Sequence, residues 1–212
     1  MKRFCISFLF VAVAFANGLE AQTADVQMLE TLQEHRTAAM DGIMTWTANS
    51  LYLAPAVPIA LMASGWSADN TEVLRSGYIT GISLLATFAI TEGLKLAVRR
   101  PRPYKAYPEL LHPVRPTLGY SFPSGHTSLS FATAVSLSLC YPRWYVALPS
   151  MLWAAGVGFS RLYLGVHNPS DVIAGAVLGT LTALLVHSLA RDHWRESPLP
   201  EPEFMIPLSV SF

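Results

Sequence analysis

Long apolar runs alternate with short polar connections along most of the chain. The runs cover residues 42–68, 77–98, 124–141, 144–160 and 172–189. A helix needs about 17–25 apolar residues to cross the hydrocarbon core of a bilayer, and each run is long enough to do so. The pattern therefore predicts an all-α fold. We expect a transmembrane helical bundle of about five mature spans, with residues 42–190 as a membrane-embedded domain.

Prolines and charges interrupt the first two runs. Pro55 and Pro58 should kink any helix through residues 42–68. Glu92 and Lys95 place two charges near the end of the second run, where ionisable side chains are costly and usually functional. Their i,i+3 spacing fits an ion pair that positions the lysine.

The two ends of the chain differ from its middle. Residues 1–21 combine a basic start, a short apolar stretch and the small residue Ala21, which is typical of a signal peptide; an uncleaved N-terminal anchor is the alternative. Residues 22–41 are interpreted as a periplasmic amphipathic segment, either a helix on the membrane surface or a plain linker helix. Residues 191–212 are polar and rich in proline, which predicts a cytoplasmic tail with little defined structure.

The distribution of arginines predicts the orientation of the spans. With the start outside, five spans leave Arg75, Arg143, Arg191 and Arg195 on the cytoplasmic side, in agreement with the positive-inside rule. The loop over residues 99–122 then lies in the periplasm, although it is also rich in arginine. Basic side chains kept on that side against the rule indicate that they bind an anionic group.

Composition supports a lipid environment and excludes several functions. Of the 212 residues, 52% are hydrophobic and 13% are charged, whereas a soluble domain carries about 25% charged residues. The formal net charge is zero, which gives no electrostatic basis for a nucleic-acid partner. Cys5 and Cys140 both lie in apolar runs, so neither a disulfide framework nor a metal cluster is expected.

The first cluster of candidate residues follows the second apolar run, at Lys95-Leu-Ala-Val-Arg99-Arg100-Pro101-Arg102-Pro103. Lys95 and Arg102 could converge from the end of a helix and the loop beyond it. Taken alone, the cluster is explained better as a snorkelling lysine followed by a basic interfacial flank.

The second cluster, Pro123-Ser124-Gly125-His126, lies where a loop becomes an apolar helix. The backbone N–H groups of a helix N-terminus suit a phosphate oxygen, and His126 is close enough to exchange a proton with a ligand there. An ordinary helix cap, with Ser124 as the capping residue, is the alternative.

The third cluster, Ser160-Arg161-x5-His167-x3-Asp171, lies between the last two apolar runs. Arg161 can clamp a phosphate, and His167 can act as a nucleophile. Asp171 can hold the imidazole in one tautomer. Three such clusters at one predicted membrane face favour a functional site over coincidence.

Together the three motifs resemble those of the type 2 phosphatidic acid phosphatase superfamily, which includes class A acid phosphatases and vanadium haloperoxidases. The resemblance covers residues 77–189 and implies a helical bundle with a metal-independent site and no cofactor. It also implies that the phosphate oxygens are held by a set of cationic and cap residues, namely Lys95, Arg102, Arg161, Ser124 and Gly125.

The same resemblance assigns the catalytic steps. His167 would attack phosphorus, and Asp171 would accept its other ring N–H. His126 would protonate the departing oxygen and then activate the water that releases phosphate. Arg99 and Arg100 fall outside the motif positions, and we assign them only to a wider electropositive mouth.

These expectations favour a lipid phosphate phosphatase of a bacterial inner membrane, with its site facing the periplasm. Undecaprenyl pyrophosphate and lipid A phosphate are the preferred substrates, and phosphatidylglycerophosphate is a further one. The alternatives are a soluble periplasmic acid phosphatase, a vanadium haloperoxidase and a noncatalytic membrane protein such as a permease subunit or a lipid-phosphate-binding scaffold. The motifs are equally compatible with a phosphotransferase, and they leave the oligomeric state open.

Overall fold

In a computed structural model of the protein, residues 19–196 are described, with side chains over residues 23–191. They form helices and no strand, which confirms the all-α prediction for this part of the chain. The helices are α1 (Leu19–Glu34), α2 (Ala38–Asn49), α3 (Ala56–Ser67), α4 (Thr71–Val98), α5 (Pro103–Ala106), α6 (Gly125–Cys140), α7 (Trp144–Tyr163) and α8 (Pro169–Glu196), with a 3₁₀ turn at Ser50–Leu53.

Helix α6 lies at the centre of the bundle, where it packs against α4, α7 and α8. The other helices are peripheral: α3 packs on α4, α2 packs on α7, and α1 contacts both α7 and α8. Leu29 of α1 is fully buried against Leu111 and Leu162, so this helix is docked onto the bundle. The helix expected within residues 22–41 is present, and its location at the membrane surface stays a prediction.

Local sequence explains where the long helices begin and end. Asn70 caps α4, since its Oδ1 accepts hydrogen bonds of 3.1 Å from the N–H groups of Glu72 and Val73. The same helix ends at Val98 and is capped by Arg99, a non-glycine residue with a left-handed φ of 53°. Pro169 is the first residue of α8, where the missing N–H of proline has no helical partner to lose.

The bundle buries small polar side chains and exposes large apolar ones, which is the inverse of the distribution in a soluble protein. Its buried polar residues include many small hydroxyls on α4 and α6, such as Thr80, Thr87, Ser128 and Thr133. Large apolar side chains point outward, including Leu85 (71% exposed) and Ile173 (65% exposed). Small residues at helix contacts and apolar residues outside are typical of helices packed in lipid. This distribution does not support the alternative in which the apolar runs form the buried core of a soluble enzyme.

Two glycines bring α8 unusually close to α6. A Cβ atom on Gly175 would lie 2.7 Å from the carbonyl oxygen of Ser124, and one on Gly179 would lie 2.1 Å from that of Ser128. Both distances are too short for real atoms. The second and third motifs are thus held together by a helix contact that only glycine permits.

Residues 42–68 do not form the single span that the apolar run predicts. Helix α2 ends at Asn49, the 3₁₀ turn follows, and α3 begins at Ala56 after Pro55. The break occurs because a helix accommodates proline best at its start. Pro55 caps α3, and Pro58 lies in its first turn. The turn brings the ring of Tyr52 to within 5.9 Å of the ring of His126 at the start of α6.

The C-terminal end differs in part from the expectation. Helix α8 continues to Glu196, so residues 191–196 are helical rather than irregular. The remainder of the predicted tail, and all but the last three residues of the predicted signal segment, lie outside the described residues.

Two helical segments of the described part are long and apolar enough to cross a membrane, namely Thr71–Ala106 and Pro169–Arg191. Ala56–Ser67 is apolar but shorter. The expectation of about five spans therefore stays a prediction.

Candidate active site

The third motif is built on the turn between α7 and α8. Gly165 has a left-handed φ of 71°, and its N–H bonds to the carbonyl of Leu162, which ends α7 with a sharp change of direction. His167 lies in the buried segment that follows, and Asp171 lies in the first turn of α8. The turn therefore places the candidate nucleophile and its carboxylate on one rigid backbone segment.

Asp171 is fully buried and accepts hydrogen bonds on both oxygens. Its Oδ2 accepts from Ser121 Oγ at 2.5 Å, from the N–H of Asn168 at 2.8 Å and from Asn168 Nδ2 at 3.2 Å. Its Oδ1 accepts from Nη1 of Arg100 at 2.7 Å. A buried carboxylate needs such partners, and here they also fix its orientation.

His167 lies between Asp171 and Arg102. Its Nδ1 is 3.7 Å from Asp171 Oδ2, an ion-pair distance rather than a hydrogen bond, and 3.5 Å from Ser121 Oγ. Its Nε2 is 3.1 Å from Nη1 of Arg102. Because a guanidinium can only donate, Nε2 is the acceptor and the neutral ring carries its proton on Nδ1. The lone pair of the ring therefore lies on Nε2, where it accepts from Arg102 on the side of the cations.

Arg102 is held in place by backbone carbonyls. It donates to Gly119 at 3.2 Å, Leu118 at 2.7 Å and Val166 at 2.9 Å. Its side chain is buried, so a substitution leaves several carbonyls without donors. This network fixes the guanidinium at His167 before any ligand arrives.

Lys95 connects the first motif to the second. Its Nζ forms a 2.7 Å ion pair with Glu92, as the i,i+3 spacing predicts. The same Nζ would lie 3.2 Å from a Cβ atom on Gly125, so the ammonium sits directly beside the start of α6. The N–H of Ser124 in turn donates to the carbonyl of Asp171 at 3.0 Å, which ties the second motif to the third.

Ser124 does not cap α6 with its side chain, in contrast to the simple alternative. Its buried hydroxyl accepts a 2.9 Å hydrogen bond from Thr127 Oγ1 and makes no bond to the helix backbone. The N–H groups of the first turn have no partner within the helix. The hydroxyl proton of Ser124 and these N–H groups are thus available to an anion beside Lys95.

Arg161 and His126 complete the site. Arg161 is 5% exposed, and its Nε has no hydrogen-bond partner. His126 is half-buried, interacts electrostatically with Arg161 and His167, and meets the ring of Tyr52 edge-on at 5.9 Å. A buried guanidinium with an unpaired donor among other cations is stabilised only when an anion joins it.

Burial is the largest influence on the charge of His167. It lowers the pKa of His167 to about 4, with Arg102 and Arg161 acting in the same direction and Asp171 opposing them. The imidazole is therefore neutral at physiological pH. This agrees with the tautomer deduced from the Arg102 contact.

All eight residues selected from the sequence lie at one end of the bundle formed by α4, α6, α7 and α8. The structure adds a further set of residues that the sequence reasoning missed or left outside the motifs, namely Ser121, Arg100, Asp25, Ser170 and Tyr52. No sequence signal identifies Ser121 or Asp25, whereas the prolines after Tyr52 indicate a helix break near it.

Cations, helix N–H groups and two histidines converge here, and groups of this chemistry suit a tetrahedral oxyanion. A helical bundle with apolar outer faces and such a site defines the class of membrane-associated phosphate hydrolases. The chain belongs to the PAP2 superfamily, whose family model matches residues 77–195.

Named relatives agree with this assignment. The undecaprenyl-diphosphatase of Sulfolobus acidocaldarius is 30% identical over 84% of this chain and 84% of its own length. The lipid A 4'-phosphatase of Bacteroides thetaiotaomicron is 30% identical over 58% of this chain and 60% of its own length. These matches support a phosphate hydrolase.

The fold agrees as well. The crystal structure of a transmembrane PAP2-type phosphatidylglycerolphosphate phosphatase from Bacillus subtilis superposes with a TM-score of 0.71. The match covers 88% of this chain and 94% of the other at 24% identity, which supports the shared fold alone.

Proposed function

We propose that the protein hydrolyses a membrane lipid phosphate or pyrophosphate through a phosphohistidine on His167, without a metal or other cofactor. One observation carries the proposal. The unprotonated Nε2 of His167 faces a cationic site in which the buried Nε of Arg161 lacks a partner. A phosphoryl group bound there would satisfy the cation and meet the nucleophile at the same time.

In the first step, Nε2 of His167 attacks phosphorus and the bond from phosphorus to the departing oxygen breaks. That oxygen is the ester oxygen of a lipid monophosphate or the bridging oxygen of a lipid pyrophosphate. Arg102, Arg161 and Lys95, with Ser124 and the N–H of Gly125, stabilise the charge that spreads over the other oxygens. The negative charge of the bound substrate favours the protonated form of His126, which then gives its proton to the departing oxygen. Asp171 stabilises the positive charge that develops on the imidazole, together with Ser121 at Nδ1.

In the second step, His126 removes a proton from a water molecule, which attacks phosphorus and breaks the bond to Nε2. Phosphate leaves, and His167 returns to its neutral form. Both steps use the same cations, because the charge develops on the same three oxygens each time.

Undecaprenyl pyrophosphate and lipid A phosphate are the proposed substrates. Relatives named for these two activities match the chain. We place the protein in a bacterial inner membrane with about five spans and the site at the periplasmic face. In this arrangement residues 1–21 are a signal peptide or anchor, residues 22–41 are periplasmic and residues 191–212 are cytoplasmic.

The test measures phosphate release by detergent-purified protein in EDTA from four substrates. These are undecaprenyl pyrophosphate, lipid A, phosphatidylglycerophosphate and a soluble phosphoester. We expect selective release from one lipid, loss of release in His167→Ala, and acid-labile radiolabelled phosphate on the wild-type protein after quenching. His112→Ala, at an exposed position outside the motifs, is the matched control and should keep wild-type turnover. Release that survives His167→Ala, or no release from any lipid, would contradict the proposal.

A further inference from the structure

Helix α1 contributes a carboxylate that is buried behind the active site. Asp25 is 6% exposed, and both of its oxygens are bound. Its Oδ2 accepts from Ser170 Oγ at 2.5 Å and from Nη2 of Arg100 at 3.1 Å, and its Oδ1 accepts from the N–H of Ser170 at 3.2 Å. A peripheral helix is therefore joined to the first turn of α8 by buried polar contacts.

Arg100 extends this contact to the catalytic carboxylate. Its Nη1 donates to Asp171 Oδ1 at 2.7 Å and to Ser170 Oγ at 2.7 Å, while Nη2 binds Asp25. One guanidinium thus bridges two carboxylates. The arrangement is rigid because each charged group is held by at least two hydrogen bonds.

The charges of this group explain why two carboxylates are present. Asp171 paired with Arg100 alone would be neutral overall, and would do little to stabilise a cationic His167. Asp25 adds a second negative charge, so the three side chains together carry a net charge of −1. That charge lies behind the imidazole, on the side away from Arg102.

We propose that Asp25 is a positioning residue for the reaction, which acts through Arg100 to fix Asp171 and to keep the group behind His167 negatively charged. The inference rests on the function proposed above. It also assigns a role to α1, which lies outside the matched family region and carries none of the three motifs. Docking of α1 then completes the active site rather than only covering it.

The charged groups that face His167 come from four parts of the fold. They are Asp171 on α8, Arg102 after α4, Arg161 on α7 and His126 on α6. These groups remain in every variant below. A change in the titration of His167 therefore reports the charge of Asp25 or Arg100.

The experiment compares Asp25→Asn, Asp25→Glu and Arg100→Gln with wild type, using the lipid that wild type hydrolyses fastest among the four substrates above. Glu34→Gln is the matched control, since it makes the same chemical change at an exposed site on the same helix. Steady-state kcat and KM are measured together with Tm, and kcat/KM is recorded from pH 3.5 to 7. Dividing each variant by wild type at every pH cancels the ionisation of the substrate.

We expect Asp25→Asn to lower kcat by about 10-fold with KM within twofold, and Asp25→Glu to recover part of the loss. The acid limb of kcat/KM should move about half a pH unit lower in Asp25→Asn and about as much higher in Arg100→Gln. The directions are opposite because one variant removes a negative charge and the other a positive charge. Damage to folding alone does not produce opposite shifts.

Unchanged kcat and pH profile in folded Asp25→Asn would overturn the inference. The inference would also be overturned if the loss of kcat among the variants were proportional to their loss of Tm while the acid limb of kcat/KM stayed at its wild-type pH. Should Asp25→Asn not fold, the displaced acid limb of Arg100→Gln and partial activity in Asp25→Glu carry the test, and wild-type values in both would overturn it. Absence of phosphate release by wild type would instead contradict the proposed function itself.

Discussion

Nη1 of Arg102 lies 3.1 Å from Nε2 of His167, so the atom proposed to attack phosphorus already touches a group proposed to bind the phosphate. The contact keeps the lone pair of Nε2 aimed at the anion site before substrate binds. When a phosphoryl group enters, the same guanidinium can donate to its oxygens and leave Nε2 free. Preorganisation of this kind lowers the cost of reaching the transition state.

The fork of donors on Arg102 should matter more than its charge. Arg102→Lys keeps the positive charge but cannot serve the carbonyls of Leu118, Gly119 and Val166 together. We expect kcat/KM to fall by about 100-fold, measured as phosphate release at low substrate concentration. Arg99→Lys, at an exposed position three residues earlier, should keep kcat/KM within twofold of wild type. Equal losses in the two variants would contradict the assignment of Arg102.

Ser121 should contribute to turnover although it belongs to none of the motifs. Its hydroxyl bonds to Asp171 at 2.5 Å and lies 3.5 Å from Nδ1 of His167. We expect Ser121→Ala to lower the single-turnover rate by about 10-fold, because the carboxylate loses a donor and the ring loses a neighbour. Ser138→Ala removes a hydroxyl that bonds only within α6, and it serves as the control. A wild-type rate in Ser121→Ala would exclude this role.

The pH dependence of activity should reflect the effect of burial on the pKa of His167. Its pKa is lowered to about 4, and only the deprotonated ring can attack. Activity should therefore be present above pH 4 and fall as the pH drops through this value. Arg161 is one of the cations that lower this pKa, so Arg161→Gln should move the acid limb of kcat/KM to higher pH. A limb near pH 6.5 that does not move in Arg161→Gln would show that His167 is not the group that titrates.

The close contact of α6 with α8 should be intolerant of a single methyl group. A Cβ on Gly179 would lie 2.1 Å from a backbone oxygen, so Gly179→Ala must push the two helices apart. We expect destabilisation of about 1–3 kcal/mol and a Tm lower by about 5 °C in detergent, with activity lost as the second and third motifs separate. Gly93→Ala, where a Cβ meets nothing within 4 Å, should leave Tm unchanged or raise it slightly. Similar Tm values for the two variants would refute the close contact.

The sequence predicts the helices of the bundle, and it selects motif residues that the folded chain brings together, because both depend on local patterns. Spans of apolar residues identify α4, α6, α7 and α8, and charged residues at their ends stand out against them. The helix break near Tyr52 is predicted only in part. The two prolines indicate a kink, but they do not show which side chain the kink brings to the site.

The contacts behind the motifs depend on packing and could not be predicted in the same way. Ser121 lies in an irregular loop, and its partner is 50 positions away along the chain. Asp25 lies in a mixed polar segment whose spacing fits either a surface helix or a linker. Arg100 stands two residues before a motif arginine, yet it faces Asp171 rather than the phosphate site. Only the folded arrangement separates these roles.

The inverted distribution of side chains has a consequence for how mutations are tolerated. In a soluble enzyme, the positions that resist substitution carry large apolar side chains. Here the outward-facing Leu85 and Ile173 should accept most other apolar residues. Small hydroxyl-bearing residues such as Thr87 and Ser128 are fully buried at helix contacts and should not accept a larger side chain. Outside the active site, a saturation mutagenesis map of this chain should therefore show its most restrictive positions at serine, threonine and glycine, and its most permissive positions at leucine and isoleucine.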